Sequence, residues 1–323
     1  MKSFLSIIII LAILLLCCPL LAIEDKNEIL KETSYEDNNI LTLTEESNDS
    51  FRVLIADTGE IKNMSAEDYI FGVVAAEMPA LYEKEALKAQ AIAAYSFALR
   101  RRAASDNKNY DISTDFTVDQ SYVSEEEIKA KWGEKAEEYS NKIRSAVKEV
   151  KGLAVCYKDE VALTPYHAIS CGTTESSKDI WGGSYSYLVS VDSVWDKLAK
   201  NYLSSESFSA EEIKSKLGNG YTYKGDSSGW ISVTEKTKYG SVKKVKVCGK
   251  EISGEDLRKA LGLRSLNFTV EYKNSNFTFT VKGYGHGVGM SQNGADYMAK
   301  QGSDYKEILE YYYSGCKVKS VTK

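Results

Sequence analysis

The sequence has few of the residues that several common ligand classes require. Its 323 residues include two histidines, His167 and His286, and no basic excess, because 41 Lys and Arg stand against 46 Asp and Glu. A nucleic-acid-binding domain typically carries a basic patch and a high pI. The charge balance therefore argues against nucleic acid as the ligand. With 43% hydrophobic and 27% charged residues, the composition also excludes whole-chain disorder and a protein with many membrane spans.

The net charge of −5 is concentrated in one short segment. Residues 24–50 hold nine acidic residues against two lysines, a local charge of −7, whereas residues 51–323 have a net charge of +1. Residues 24–50 show no sustained hydrophobic period, so we predict a flexible acidic tether. A negative tether would hold the body of the protein away from a negatively charged membrane surface. An acidic docking arm is the alternative.

Charged residues are absent from residues 3–23, a run of 21 residues. An α-helix of this length reaches roughly 31 Å, enough to cross a bilayer core of about 30 Å. A secretory signal has a shorter apolar core and ends in small residues, whereas this run ends in Leu20-Leu21-Ala22. We predict a retained membrane anchor over residues 1–23, with signal cleavage as the alternative. Lys2 favours a cytoplasmic N-terminus and an outward-facing body.

The body, residues 51–323, has no internal repeat and no proline- or glycine-rich linker. We predict a single α+β domain with a helical N-terminal part and a β-rich C-terminal part. Capping residues, Pro79 and apolar periodicity place the helices at about 65–78, 83–104, 124–150 with a break at Gly133, 209–217, 254–261, 291–300 and 303–313. Runs rich in Val, Thr and aromatic residues place strands at 51–56, 153–157, 161–170, 187–191, 230–234, 242–248, 267–272 and 276–283.

Glu77 is the first candidate catalytic residue. It lies at a predicted helix end before Pro79, in the stretch IFGVVAAEMPALY (70–82), which has seven uncharged residues before it and five after it. A carboxyl group flanked in this way is a candidate for desolvation, which raises its pKa. A carboxyl group that stays protonated near neutral pH can serve as the general acid in glycosidic cleavage. The alternative is a glutamate that faces solvent on an amphipathic helix.

A glycine-rich loop, residues 283–295, is the second candidate site. Glycines alternate at 283, 285, 287 and 289, yet no G-x-G-x-x-G register fits, so a dinucleotide turn is excluded. Alternating glycines let the backbone approach another group closely, with His286 presented on the loop. A glycine-rich turn with a structurally satisfied histidine is the alternative.

Cys156, His167 and Cys171 form a third candidate site, because their side chains could supply three zinc ligands. Their spacing is looser than that of a zinc-finger pair and no fourth ligand is evident, so water or a carboxylate would complete the tetrahedron. The alternatives are free buried cysteines, or disulfides among Cys156, Cys171, Cys248 and Cys316.

Four blocks of sequence resemble a known family. They are EMPALYEKEALKAQAIAAYSFALRRR (77–102), YHAISCGTTESSKDIWGG (166–183), YLVSVDSVWD (187–196) and GYGHGVGMSQNGADYMAKQG (283–302). Their identity and order resemble the stage II sporulation protein D family, which has the amidase enhancer LytB as a relative. The resemblance covers most of residues 51–323. The predicted single span and outward-facing body match that family as well.

The resemblance implies a lytic transglycosylase. Such an enzyme cleaves the β-1,4 bond between N-acetylmuramic acid and N-acetylglucosamine in glycan strands free of stem peptides, and leaves 1,6-anhydro ends. The setting would be septal wall remodelling and engulfment during sporulation. Glu77 falls on the family's catalytic glutamate. One carboxyl group suffices, because it first protonates the leaving oxygen and then takes the proton from the sugar's own C6 hydroxyl.

The substrate-binding residues implied by these blocks are Tyr95, Tyr187, His286 and Gln292. Two positions depart from the family pattern, since Tyr95 stands where an arginine is usual and Val189 where a lysine is frequent. Both changes remove a cation that could position a polar glycan. We therefore expect the implied transglycosylase activity to be altered, weak or lost. Tyr95 and Tyr187 could instead stack on a sugar.

The resemblance also implies a cofactor and partners. Some clostridial members carry zinc in the cleft, which favours a metal at Cys156, His167 and Cys171. The implied partners are peptidoglycan strands, a wall amidase resembling stage II sporulation protein P, and a membrane protein resembling stage II sporulation protein M. The implied location is the cell membrane, with the catalytic domain outside. The alternative function is a non-catalytic glycan binder that enhances a cell-wall amidase.

Overall fold

The computed structural model describes residues 50–105 and 109–321. The predicted anchor, residues 1–23, and all but the last residue of the predicted tether lie outside the described residues. Within the described ranges, none of the helices combines the length and hydrophobicity needed to cross a bilayer. The described chain is a mixed α and β structure with most helical residues before residue 150 and most strands after it, as predicted.

Apart from the short helix Ser177–Trp181, which was not predicted, the helices follow the positions predicted from caps and breakers. Ser65 caps the first helix by accepting a hydrogen bond from the Asp68 amide, and Pro79 prevents the helix from continuing. The helices are α1 Ala66–Glu77, α2 Lys84–Ala103, α3 Glu125–Trp132, α4 Ala136–Glu149, α5 Ser177–Trp181, α6 Ala210–Leu217, α7 Gly254–Leu261, α8 Gln292–Lys300 and α9 Tyr305–Tyr312.

The strands form small sheets of two or three strands each. They are β1 Ser50–Leu54, β2 Ile61–Ser65, β3 Ile112–Ser113, β4 Leu153–Tyr157, β5 Glu160–Val161, β6 Tyr166–His167, β7 Leu203–Ser209, β8 Ile231–Lys236, β9 Val242–Val247, β10 Lys250–Ser253, β11 Phe268–Lys273, β12 Asn276–Lys282, β13 Met290–Ser291 and β14 Lys317–Ser320. The strand orders are β2-β1-β3, β14-β4-β5, β13-β6, β11-β12-β7 and β10-β9-β8.

Helix α2 is the centre of the first hydrophobic core. Its inner face carries Leu87, Ala91, Ala94 and Ala98, each at most 2% exposed. Alanines on one face let neighbouring backbones approach closely, and α2 packs against α1, α4, α8 and α9. Helices that are distant in sequence, α1 and α8, therefore meet beside the same central helix.

A second hydrophobic core lies between Phe208 and Val281. It contains the inward-facing residues of sheets β7-β12-β11 and β8-β9-β10, with α6 and α7 packed beside them. The first core is formed by two segments of the chain. One lies between Phe51 and Leu188, and the other begins at Val288. The β-rich part is thus inserted between two segments that complete the helical part, and β13 returns the chain to β6.

Two predicted strands differ from the structure. Residues 187–191 form no strand, because they pack as an irregular segment against residues 174–177, where Ser177 N donates to Leu188 O and Val191 N donates to the Thr174 hydroxyl. Within residues 161–170 the strands are only β6 and the last residue of β5. Six strands were not predicted, namely β2, β3, β7, β10, β13 and β14. Of these, the polar strands β2 and β7 have no clear apolar alternation.

Candidate active site

Glu77 is the last residue of α1 and is partly buried. Its Oε1 accepts a hydrogen bond from the Ser121 main-chain N–H at 3.1 Å. Its Oε2 accepts one from the Gln292 side-chain amide at 3.3 Å. The Pro79 turn fixes where α1 ends, and the packing of α1 and α8 against α2 brings Gln292 to the carboxyl group. Three segments far apart in sequence thus converge on one carboxyl group.

Two opposing effects set the proton affinity of Glu77. Burial raises its pKa above the usual value, because removal of water penalises the charged form. The hydrogen bonds from Gln292 and Ser121 act in the opposite direction, since an N–H donor favours the carboxylate. Burial is the larger effect, so the pKa of Glu77 is raised. This agrees with the desolvation predicted from its uncharged flanks.

Neutral amide and phenol groups surround the carboxyl group. The Gln292 amide nitrogen also lies 3.4 Å from Gln90 Oε1 on α2. A second amide, Gln120, accepts a hydrogen bond from the Tyr166 hydroxyl at 2.8 Å and donates to the Tyr69 hydroxyl at 3.3 Å. The charge of Glu77 contributes to the raised pKa values of Tyr69 and Tyr166, after burial.

Sequence reasoning missed most of these neighbours. Gln90 and Tyr166 lie inside the family-like blocks, and a glutamine among the alanines of a predicted inner helix face was the signal that could have identified Gln90. Ser121 acts through its main-chain N–H, which no side-chain pattern reveals. The Ser121 and Gln292 groups that donate hydrogen bonds to Glu77 are both uncharged. The site therefore offers one carboxyl group in neutral surroundings.

Tyr95 and Tyr187 are core residues in the structure. Tyr95 is 6% exposed and contacts the ring of Phe51 edge-on at 6.1 Å. Tyr187 is also 6% exposed, packs against Tyr157, and accepts a hydrogen bond from the Leu163 amide. A sugar-stacking role does not fit this burial, which corrects the geometry expected for both rings. Val189, by contrast, is exposed.

The glycine-rich loop packs against the protein's own chain. Glycines 283, 285, 287 and 289 all have positive φ values between 73° and 107°. A Cβ on Gly289 would lie 2.0 Å from Pro165 O, and one on Gly285 would lie 2.7 Å from the Cβ of His167. The predicted close approach of the backbone is therefore found, and its partner is the segment around β6.

The two histidines lie on either side of this contact. Their ring centroids are 5.8 Å apart, and Trp181 lies 5.3 Å from His286. His286 Nδ1 accepts from the Val288 amide, and His167 Nδ1 lies 3.2 Å from Val288 O. Burial lowers the pKa of His167 to about 4 and that of His286 to about 3. Both rings are therefore neutral near pH 7.

Cys156, His167 and Cys171 have separate surroundings. Cys156 lies on β4 opposite Lys317, His167 faces the glycine loop, and Cys171 Sγ contacts the carbonyl oxygens of Thr173 and Tyr239. Across residues 50–105 and 109–321, no group of three or more His, Cys, Asp or Glu side chains is arranged to hold a metal ion. The predicted ligand set does not fit zinc here, because spacing along the chain does not bring the three side chains together.

All four cysteines in the described part of the chain are free thiols. Cys156 and Cys316 are buried, whereas Cys171 and Cys248 are partly buried. The structure therefore agrees with the alternative of free cysteines and not with disulfides among Cys156, Cys171, Cys248 and Cys316.

Comparison with known proteins identifies the relatives of this chain. A family model described as stage II sporulation protein, SpoIID, matches residues 56–157, a range that includes Glu77. The chain is 38% identical over 258 residues to stage II sporulation protein D of Bacillus amyloliquefaciens, covering 79% of this chain and 74% of that protein. The chain belongs to the stage II sporulation protein D family.

Two further relatives are similar to this chain over most of its length. Stage II sporulation protein D of Bacillus subtilis (strain 168) is 37% identical over 262 residues, covering 80% of this chain and 75% of that protein. The amidase enhancer of the same organism is 26% identical over 295 residues, covering 76% of this chain and 39% of that protein. Membership in the stage II sporulation protein D family, predicted from four blocks, is confirmed.

In this family member, replacing Gln292 should change the proton affinity of Glu77. Gln292→Leu removes one N–H donor that favours the carboxylate, so the pKa of Glu77 should rise further. The measurement is a pH titration of the Glu77 side-chain carboxyl carbon by NMR. Gln301→Leu, at the exposed end of α8, is the matched control. An unchanged Glu77 titration in Gln292→Leu would contradict this hydrogen bond.

Replacing Gly289 should destabilise the site through packing. In Gly289→Ala the new methyl group would meet Pro165 O, whereas Gly59, with φ of 72° against 73°, has nothing within 4 Å. Gly59→Ala should cost roughly 1–2 kcal/mol from backbone strain alone. Gly289→Ala should lose at least about 2 kcal/mol more, since overpacking adds to strain. Chemical denaturation of both variants measures the difference, and equal losses would refute the packing argument.

Proposed function

We propose that this protein is a peptidoglycan lytic transglycosylase in which Glu77 is both the acid and the base. The observation that supports this proposal is a partly buried carboxyl group with a raised pKa, Glu77, held by Ser121 and Gln292. Membership in the stage II sporulation protein D family supports a role in sporulation. The substrate proposed is glycan strand free of stem peptides, cleaved between N-acetylmuramic acid and N-acetylglucosamine.

The first step requires Glu77 in its protonated form. Its proton passes to the glycosidic oxygen as the bond from that oxygen to the anomeric carbon breaks. Burial favours this form, because the raised pKa keeps a larger fraction of Glu77 protonated near neutral pH. As the proton leaves, the carboxylate that forms is stabilised by the N–H groups of Ser121 and Gln292, which are already in place.

The second step uses the resulting carboxylate as a base. Glu77 takes the proton from the C6 hydroxyl of the same muramic acid residue, and that oxygen bonds to the anomeric carbon to close a 1,6-anhydro ring. The attacking group is already part of the substrate, so neither a second carboxylate nor an activated water is required. The uncharged surroundings of Glu77 agree with this requirement.

The proposed setting is the outer face of the cell membrane during septal wall remodelling and engulfment. The uncharged run at residues 3–23 and the acidic segment at residues 24–50 support an anchored, outward-facing domain. The proposed partners are a wall amidase resembling stage II sporulation protein P, which would remove stem peptides, and a membrane protein resembling stage II sporulation protein M. Zinc is not assigned a role in this mechanism.

A second candidate function is supported by specific observations. One relative is named an amidase enhancer. The family resemblance also implies cations at the positions of Tyr95 and Val189, and Tyr95 is buried. Both features are compatible with a protein that binds glycan and stimulates an amidase without cleaving the strand. The two candidates differ in whether Glu77 is required.

Replacing Glu77 should abolish cleavage. Glu77→Gln keeps the size of the side chain and removes the transferable proton, so release of anhydro-ended fragments from stem-free glycan strands should fall at least about 100-fold. Product release measured by chromatography and mass spectrometry tests this. Glu67→Gln, at the other end of the same helix, should retain activity. Equal cleavage by Glu77→Gln and wild type would refute the assignment of Glu77.

The same pair of variants separates the two candidate functions. If the protein is an amidase enhancer, both wild type and Glu77→Gln should retain glycan in a pull-down without cleaving it. Both should then stimulate a wall amidase equally.

A further inference from the structure

One face of helix α8 contacts the segment 77–83 at two points. Gln292 and Asp296 are four residues apart on α8, so their side chains lie on the same face of the helix. The Gln292 amide donates to Glu77 Oε2 at 3.3 Å, and Asp296 Oδ1 accepts a hydrogen bond from the Glu83 main-chain N–H at 2.8 Å. The first contact belongs to the candidate active site, and the second lies about one helical turn away along α8.

Asp296 carries a buried carboxyl group that the proposed mechanism does not use. The residue is 4% exposed, and its second oxygen, Oδ2, pairs with Lys300 further along α8. Burying a carboxylate is unfavourable unless hydrogen bonds and a cation compensate for the lost water. Both kinds of partner are present at Asp296, so its burial against the Glu83 N–H is compensated.

The Glu83 N–H lies at the start of α2. Glu83 is the N-cap residue of α2, and its own side chain makes no capping hydrogen bond. In a capping box, the side chain of the third helical residue accepts a hydrogen bond from the N-cap N–H. That third residue is Ala86, which has no side-chain acceptor, and Asp296 supplies the acceptor from another helix. Asp296 therefore ties α8 to the first turn of α2.

The segment between the two contacts is a short, closed turn. Glu83 follows Glu77 by six residues, and within the turn Tyr82 N donates to Pro79 O at 3.0 Å. A short segment with an internal hydrogen bond leaves little freedom for its two ends to move independently. The hydrogen bond to Asp296 at one end of the turn therefore sets which part of α8 faces Glu77 at the other end.

We propose that Asp296 is a positioning residue, which holds α8 against the Pro79 turn so that the Gln292 amide meets the Glu77 carboxyl group. Its effect on cleavage rests on the proposed function of Glu77, whereas its effect on the hydrogen bond between Gln292 and Glu77 does not. The alternative is that Asp296 only stabilises the start of α2. Its loss would then lower stability and leave Glu77 unchanged.

The test is a pH titration of the Glu77 side-chain carboxyl carbon by NMR, in the full-length protein in detergent micelles. Asp296→Leu removes the acceptor, whereas Asp296→Asn keeps an oxygen acceptor, and both remove the same negative charge. Without the acceptor, Gln292 should move away from Glu77. The pKa of Glu77 in Asp296→Leu should exceed that in Asp296→Asn by at least about 0.5, since a hydrogen bond to a charged group is worth roughly one pKa unit or more.

A second pair of variants removes the same hydrogen bond from the donor side. The φ of Glu83 is −60°, which proline adopts, so Glu83→Pro fits the local backbone and removes the N–H. Glu83→Ala removes the side chain and keeps the N–H. The pKa of Glu77 should be higher in Glu83→Pro than in Glu83→Ala, again by at least about 0.5. If Asp296→Leu does not fold, this pair gives the same comparison.

The action through Gln292 is tested by combining variants. In a Gln292→Leu background the donor to Glu77 is already absent, so Asp296→Leu and Asp296→Asn should give the same Glu77 titration. A difference that persists in this background would show that Asp296 acts on Glu77 by another route, which would overturn the proposal.

Equal Glu77 titrations within both single-variant pairs would also overturn it. A lower free energy of unfolding for Asp296→Leu would in that case identify Asp296 as a cap of α2 only. If the wild type cleaves no glycan but the paired variants titrate differently, the proposed function fails and the positioning role stands. If the wild type cleaves glycan and the paired variants titrate alike, the positioning role alone fails.

Discussion

The competition between burial and hydrogen bonding at Glu77 is the constraint on which the proposed chemistry depends. Burial raises the pKa of the carboxyl group, and the N–H groups of Ser121 and Gln292 limit that rise. Stronger burial without donors would hold the group in its acid form, and donors without burial would hold it as a carboxylate. A single residue can alternate between acid and base only when neither effect is overwhelming.

The fold supplies the two donors, Ser121 and Gln292, from segments far apart in the sequence. Helix α1 ends at Glu77 because Pro79 follows, and the small residues of α2 let both α1 and α8 pack closely against it. Gln292 is the first residue of α8, directly after β13, which pairs with β6. The alternating glycines make that pairing possible, because any side chain at Gly289 would collide with Pro165. The glycine-rich loop therefore acts on the site by positioning Gln292.

Local features were predictable from the sequence, and contacts between distant segments were not. Helix caps at Ser65 and Ser124 depend on residues three apart, and the desolvation of Glu77 depends on its own flanks. The contact between Gln90 and Gln292 joins residues 202 apart, so no periodicity reveals it. The same limit explains why the prediction of three zinc ligands failed. Cys156, His167 and Cys171 are close in sequence but lie in separate surroundings. Tyr95 and Tyr187 were predicted to contact the glycan, but both are buried in the core. An aromatic ring can stack on a sugar or pack in a core, so its presence in the sequence does not distinguish the two roles.

The source of the oxygen in the product tests the central claim most directly. Wild-type protein is incubated with stem-free glycan strands in water enriched in ¹⁸O, and the new ends are examined by mass spectrometry. If Glu77 directs attack by the sugar's own C6 hydroxyl, the products should be 1,6-anhydro ends without ¹⁸O. Reducing ends that carry one ¹⁸O atom would show that water is the nucleophile, which would contradict the account of Glu77 as a single carboxyl group serving as both acid and base.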